Sequence, residues 1–359
     1  MNDTELILVA MSGGVDSSAV AALLAREGRK IVGVTMRVWE DPAGTEARHG
    51  ACCTLDDAND ARRVADKLGF PHYTLNVKDA FRRMVVDPFI ADYRAGRTPN
   101  PCALCNSAIK FDHLFIQGEK IGATKITTGH YARIGEFHGR PALLRGVDPK
   151  KDQSYFLFGI PAHRLGSILF PLGDMTKDET RALAREVGLN VAEKKESQEI
   201  CFIPDNDYAA LVEKEGGAVG AGDIVTADGK VIGRHSGYLH YTVGQRKGLG
   251  IAAPQPFYVT RVEPDTNRVV VGGREAIMGR TLVARDFNWL VPKDEIEGLT
   301  FTARIRHNSP DAPADVTAEG ERVVVTFHEP QNAIAPGQAV VVYHGDVVVG
   351  GGWIEERID

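Results

Sequence analysis

Apolar and polar positions along the first two hundred residues alternate between strand-like and helix-like spacing. Leu6–Ala10 is an unbroken apolar run, Met11–Ser18 a Gly-Gly turn flanked by hydroxyls, and Ala19–Gly28 an alanine-rich apolar stretch. Buried strand, tight loop and helix are predicted in that order. Lys30–Trp39 is a second β-rich run, followed by a Gly/Pro/Thr-bearing loop up to Thr54. Asp56–Gly69 sets Ala58, Ala61, Val64, Ala65 and Leu68 at helical spacing before Gly69 stops it, and His72–Val77 reads as a strand. Asp79–Arg94 is helical in pattern, with Pro88 placed to kink or divide it.

Arg97–Asn106 breaks this rhythm with two prolines that should hold it extended. A helix over Ser107–Gly122 is predicted directly behind it, which would leave Cys105 at a helix N-terminus where the dipole favours thiolate. Lys125–Arg133 reads as one strand carrying Thr127-Thr128-Gly129-His130. Thr176 and Glu179 form a capping box for a helix over Lys177–Val187, closed by Gly188. Strands and helices joined by short connections predict an α/β domain with a parallel sheet covered on both faces. Its ligands should bind beyond the carboxyl ends of the strands, where Ser12–Ser17 lies.

Beyond Asp205 helical periodicity fades, apart from Asp207–Glu215. Turn signals at Asp228-Gly229, Gly272-Gly273 and His344-Gly345 separate the β-rich runs Phe257–Val262, Arg268–Val271, Phe301–Ile305, Val323–Phe327 and Ala339–Tyr343. Two small β units divided near Ala276–Arg280 are expected.

A content of 43% hydrophobic and 25% charged residues is that of an ordinary soluble protein, and 359 residues suffice for two or three domains. No stretch reaches the roughly 18 apolar residues of a membrane span. Met1–Thr4 leads too quickly into a strand for a signal peptide, so a cytoplasmic protein without a membrane partner is expected. Five cysteines are too few for a disulfide scaffold, and those in loops point to metal or thiol chemistry. The net charge of −6 argues against a nucleic-acid binder until its distribution is seen. The first 205 residues carry 27 basic and 27 acidic side chains, so the acidic excess lies in the remainder. Yet Gly229–Val262 holds Lys230, Arg234, Arg246, Lys247 and Arg261 with no acid, interleaved with His235, Tyr238, His240, Tyr241, Phe257 and Tyr258. That mixture suits phosphate pairing and base stacking, although a solvated basic face with ordinary strand aromatics would look the same.

The chemistry starts at the first loop. Gly13 and Gly14 have no Cβ, so backbone N–H groups can close on an anion, with the helix behind them contributing its positive end and Ser12, Ser17 and Ser18 adding hydroxyls. Neither common nucleotide-loop pattern is present. Ser12–Ser17 instead resembles Ser-Gly-Gly-x-Asp-Ser, the PP-loop of ATP pyrophosphatases. The resemblance implies cleavage of ATP between its α and β phosphates, adenylation of a carbonyl oxygen and displacement of AMP by a nucleophile. Cys52 and Cys53 read as small buried hydrophobes. Cys102 and Cys105, in a proline-bearing loop, are open to redox, zinc or iron–sulfur readings; zinc would need a second pair that the chain lacks.

Over nearly its full length the chain resembles the tRNA-specific 2-thiouridylases, through Met11–Ser18, Gly33–Met36, Thr98–Asn106, Thr128–Arg133, Lys151–Tyr155, Phe170–Gly173, Glu196–Phe202 and Tyr241–Gly250. The resemblance implies a PP-loop catalytic domain over 1–205, a small central β domain over 206–277 that contacts tRNA, and a C-terminal β-barrel over 278–359. It implies ATP and Mg2+ as cofactors, with Ala10, Met11, Ser12, Gly13, Gly14, Val15, Asp16, Ser17, Met36 and Gly129 holding ATP. Cys105 matches the family nucleophile and Cys201 the cysteine that carries persulfide. Asn100, Pro101 and Cys102 would face the target base; His130, Lys151, Asp152, Gln153, Arg306, His307 and Gln338 match positions that contact tRNA. The substrate would be tRNA with a wobble uridine, and the sulfur donor a cysteine desulfurase or a sulfur-relay protein. Cys102 stands where many members have Asp, which opens an alternative: Cys102, Cys105 and Cys201 as three ligands of a [4Fe–4S] cluster. An amidating or ligating PP-loop synthetase and a non-catalytic RNA-binding module are the other readings.

Overall fold

The structure is a computed structural model that describes residues 5–39, 55–194, 200–203 and 207–359. Cys52, Cys53 and residues 196–199 of the Glu196–Phe202 motif lie outside the described residues. Two compact units divide the chain: residues 1–85, 102–202 and 346–348 form the first, and residues 86–101, 203–345 and 349–359 the second.

The first unit is built on a parallel sheet. Its strands are β1 (Leu6–Ala10), β2 (Lys30–Arg37), β3 (His72–Asn76), β4 (Lys125–Thr127) and, later in the chain, a two-residue strand at Ile168–Leu169. They lie in the order β3-β2-β1-β4 with Ile168–Leu169 outermost, and every pairing is parallel. Ile7, Leu8 and Val9 of β1 are buried, as a strand with sheet on both sides requires. Helix α1 (Val15–Arg26) presents Ala19, Val20, Ala21 and Ala22 to one core, and these small side chains let it lie close to the sheet. Helix α2 (Leu55–Leu68) packs beside it.

The helical stretch that contains Pro88 is indeed divided. It runs as α3 (Lys78–Phe81), a π-helical turn at Arg82–Val86, and α4 (Asp87–Arg94) with Pro88 in the first turn, where its missing N–H costs no hydrogen bond. The cysteine loop departs from expectation. The helix starts at Pro101, not Ser107: α5 (Pro101–Cys105) continues through a π-helical turn (Asn106–Phe111) into α6 (Asp112–Ile121), which Gly122 ends at φ +73°. Pro101 takes a position at which proline initiates a helix, so Cys105 ends the first turn and does not sit at its start. The single strand predicted over Lys125–Arg133 is also two elements. After β4 the chain turns through Thr128–His130 into β5 (Ala132–Phe137), which forms an antiparallel hairpin with β6 (Arg140–Arg145). With Ile168–Leu169 counted as β7, the unit's last helix is α7 (Lys177–Glu186), which packs on α1. Its capping box forms as the sequence predicts, Thr176 Oγ1 accepting from Glu179 N–H and Glu179 Oε2 from Thr176 N–H.

In the second unit α8 (Tyr208–Gly216) begins at an Asp207 cap, and Tyr208 stacks on Tyr93 of α4 at 4.8 Å. A four-stranded sheet follows from β8 (Gly222–Thr226), β9 (Val231–His235), β10 (Tyr258–Glu263) and β11 (Arg268–Gly272), in the order β10-β11-β8-β9. The remaining strands are β12 (Met278–Trp289), β13 (Phe301–Arg304), β14 (Ala312–Glu319), β15 (Arg322–Asn332), β16 (Ala339–His344) and β17 (Val347–Arg357). They run β12-β15-β14-β13-β16-β17, and β12 pairs with β17, which closes a six-stranded barrel and leaves no open edge. Among the described residues no helix is long and apolar enough to cross a membrane.

Candidate active site at the ends of the parallel strands

The loop after β1 is held by its neighbours. Met11 N–H donates to Val34 O at 2.8 Å, and Met11 O accepts from the buried Thr35 hydroxyl at 2.7 Å, extending β1 by one residue before the chain turns. Gly13 is at φ +71°, and a Cβ there would overlap the Asp57 carbonyl of α2. Only glycine fits this turn. Ser17 then ties the loop to itself: its hydroxyl accepts from Ser12 N–H at 3.1 Å and lies 3.3 Å from Gly14 O. Ser12 remains exposed. Ser18, expected to add a donor, does not: it points into the core side of α1, fully buried and without a hydrogen-bond partner.

Gly129, on the turn after β4, lies directly over the start of α1. A Cβ on it would stand 2.7 Å from Ser17 N and 3.0 Å from Asp16 C. Met36, buried near the end of β2, is two residues past the Ala10–Val34 pair. Ala10–Ser17, Met36 and Gly129 therefore converge at the carboxyl ends of the strands, where a parallel sheet binds its ligands.

Two lysines missing from the sequence reading complete this end. Lys177, the first residue of α7, is buried, and its ammonium donates to both oxygens of Asp16 at 2.7 and 2.9 Å. The Tyr131 hydroxyl donates to the same carboxylate at 2.9 Å. Lys194 donates to Asp57 and Asp60 of α2, each at 2.7 Å, and to Gly13 O at 3.1 Å. Burial works against the Lys194 charge, but its hydrogen bonds to the two aspartates outweigh this and hold it above the ordinary lysine value. The only local signal for Lys177 is the Thr176–Glu179 cap, which fixes it at the first helical position; Lys194 has none.

The expected tRNA positions divide into two kinds. His130 lies against Phe111 and Phe170 at centroid distances of 6.1 and 6.2 Å and is 2.7 Å from Thr128 Oγ1. Burial and the Lys110 charge push its pKa down to about 3, so it is a neutral ring at physiological pH. Asp152 has its side chain turned inward, with its oxygens on Gly146 N–H, Ser154 N–H and the Ser154 hydroxyl. It builds the loop on which Lys151 is carried and presents no carboxylate outward. Gln153 exchanges hydrogen bonds with the Tyr131 backbone at 3.0 and 2.9 Å, which steadies the tyrosine that holds Asp16. In the second unit, Gln338 Nε2 donates to Thr98 O and Pro99 O at 3.0 and 3.3 Å, fixing the segment that carries Asn100 and Pro101. Arg306 donates to Ala333 O, and both Arg306 and His307 are half-buried.

Cys102 is exposed, Cys105 buried and Cys201 half-buried, all in the first unit. Phe202 anchors Cys201 by packing on Phe81 at 5.6 Å and on Trp39, two residues beyond β2, at 6.1 Å. Cys105 is followed by Asn106, whose Nδ2 donates to Phe156 O at 3.3 Å, next to Gln153 and the Tyr131 contact. Among the described residues no three or more His, Cys, Asp or Glu are arranged to hold a metal. Cys102, Cys105 and Cys201 are not gathered as three ligands in this arrangement, which lends no support to the [4Fe–4S] alternative that Cys102 had raised.

This fold and this loop define a nucleotide-binding α/β protein of the PP-loop kind with two appended β modules. Family models agree along the chain: one described as the tRNA methyl transferase HUP domain matches residues 5–205, the PRC-barrel domain of the same name residues 211–273, and an aminomethyltransferase beta-barrel domain residues 279–354. Proteins named tRNA-specific 2-thiouridylase MnmA from Geobacter metallireducens and Koribacter versatilis are each 49% identical to it, over 97% and 99% of this chain and 96% and 100% of theirs. One from Carboxydothermus hydrogenoformans is 48% identical over 98% of both. The chain belongs to the tRNA-specific 2-thiouridylase family.

Proposed function

We propose that this protein activates the C2 oxygen of the wobble uridine of tRNA with ATP and replaces it with sulfur carried by Cys201. The observation that supports this reading is the presence, in a chain 49% identical to 2-thiouridylases over 99% of its length, of both an intact Ser12–Ser17 loop and Cys201, whose neighbour Phe202 packs on Trp39 just beyond β2. ATP lies against Ala10–Ser17, with Met36 and Gly129 bounding the nucleotide. Mg2+ would enter with the triphosphate at the Ser12–Ser17 loop and would supply neutralisation of phosphate charge, while Asp16 is engaged by Lys177 and Tyr131.

The uridine O2 attacks the α-phosphate, pyrophosphate leaves, and C2 now carries AMP as a departing group. The terminal sulfur of a Cys201 persulfide adds to C2 and AMP is expelled, leaving base and Cys201 joined through two sulfurs. The Cys105 thiolate attacks Cys201 Sγ, the S–S bond to the base breaks, and 2-thiouridine departs as a Cys105–Cys201 disulfide forms. A thiol reductant restores the cysteines, and a cysteine desulfurase or relay protein reloads Cys201. Asn100, Pro101 and Cys102 line the base, while His130, Lys151, Arg306 and His307 contact the RNA; Asp152, Gln153 and Gln338 act by shaping the segments that do so.

Cys201→Ser tests the assignment. Nucleoside mass spectrometry of tRNA from complemented cells should show no 2-thiouridine, while the purified variant still adenylates tRNA and releases pyrophosphate. Undiminished 2-thiouridine would refute the role of Cys201.

A further inference from the structure

Three carboxylates of α1 and α2 beside the nucleotide loop meet lysines from one stretch of chain. Lys177 opens that stretch and meets Asp16; Lys194 ends it and meets Asp57 and Asp60. The two matches are unequal, since Lys194 reaches two carboxylates at 2.7 Å each and Gly13 O as well. Asp60 has additional partners in Asn190 Nδ2 at 3.2 Å and the exposed Arg63 at 3.5 Å.

We propose that Lys194 is a positioning residue that offsets part of the negative charge of the α2 carboxylates beside Gly13 and so favours acceptance of a nucleoside triphosphate by the loop. The inference rests on the ATP-dependent reading given above. A Cβ on Gly13 would overlap the Asp57 backbone, so the loop lies hard against the first turn of α2, and Lys194 spans from Gly13 O to both of its carboxylates. Asp57 is buried, so water screens it poorly. Removing the ammonium would leave the loop's N–H groups beside these carboxylates with one positive charge fewer, a poorer place for an anion. Lys194 is also held in place from behind. Leu189, Val191 and Ala192 are buried, Lys194 N–H donates to Val191 O at 3.0 Å, and the Arg181 guanidinium donates to Ala192 O at 2.8 Å and Lys194 O at 3.4 Å. A surface lysine that only solvated the protein would need no such brace.

The test is steady-state AMP release by the full chain with a wobble-uridine tRNA, a saturating persulfide source and a thiol reductant, varying ATP and tRNA separately. Lys194→Met should raise KM for ATP about tenfold, roughly 1.4 kcal/mol of binding, with KM for tRNA and kcat within about twofold. Lys194→Arg should keep most of the ATP affinity. The triple variant Lys194→Met, Asp57→Asn, Asp60→Asn should recover ATP affinity to within about threefold of wild type, a rescue that loss of packing would not give. An unchanged KM for ATP in Lys194→Met, or a rise that the triple variant does not relieve, would overturn the inference. Should Lys194→Met fail to fold, Asp57→Asn with Asp60→Asn beside an intact Lys194 decides: KM for ATP falling about two- to threefold supports the inference, and an unchanged or higher value overturns it. Wild-type protein without tRNA-dependent AMP release would instead remove the ATP-dependent reading itself.

Discussion

Asp16 has the sequence position of a phosphate-loop carboxylate, yet in the folded chain it accepts from the Lys177 ammonium and the Tyr131 hydroxyl. A carboxylate so held ties Lys177 and Tyr131 to the first turn of α1. Asp16→Ala leaves the Lys177 ammonium buried without its carboxylate and is expected to reduce tRNA-dependent AMP formation at least a hundredfold, measured by release of labelled AMP. His130 allows a prediction of a different kind. Its native pKa, about 3, is below the ordinary 6.5, so under acid the unfolded chain takes up a proton that the native chain refuses. This group therefore stabilises the fold fully above pH 6.5 and loses up to about 1.4 kcal/mol per pH unit as pH falls from there toward 3. Urea unfolding of wild type and His130→Phe at pH 7 and pH 5 should show the smaller pH dependence in the variant. Neither partnership was legible in the sequence, because 161 residues separate Lys177 from Asp16 and nothing local marks a lysine as buried.

Among the elements, legibility tracked the range of the forces involved. The capping box of α7, the Gly122 and Gly188 stops and the Pro88 division are local hydrogen-bonding and steric effects, and each was readable from a few adjacent residues. The helix start at Pro101 was misread because proline marks both an extended segment and a first helical turn, and the residues downstream of it decide between the two. The break of Lys125–Arg133 into β4 and β5 was missed for a tertiary reason: Gly129 turns the chain because the start of α1 leaves room for nothing larger. Thr176→Ala removes the oxygen that accepts from Glu179 N–H. It should destabilise the protein by about 1 kcal/mol in urea titrations, and should raise KM for ATP by loosening Lys177 at the next position.

Taken whole, the chain carries a net charge of −6 and still has a polyanion as its proposed substrate. Attraction must then come from local cations. Arg246 and Lys247 stand exposed on the loop between β9 and β10, in a segment without acids, and line or adjoin a cavity of about 440 Å3 that also reaches Phe257. Substituting both by Ala should weaken tRNA binding and reduce the slope of log affinity against log salt by roughly 1–2. The most direct measurement of the central claim tracks one oxygen. Given tRNA with 18O at C2 of its wobble uridine, the protein, ATP and a persulfide source should yield 2-thiouridine and AMP carrying the heavy isotope, in equal amounts. Label recovered in water or pyrophosphate, with AMP unlabelled, would contradict activation of the base by adenylation.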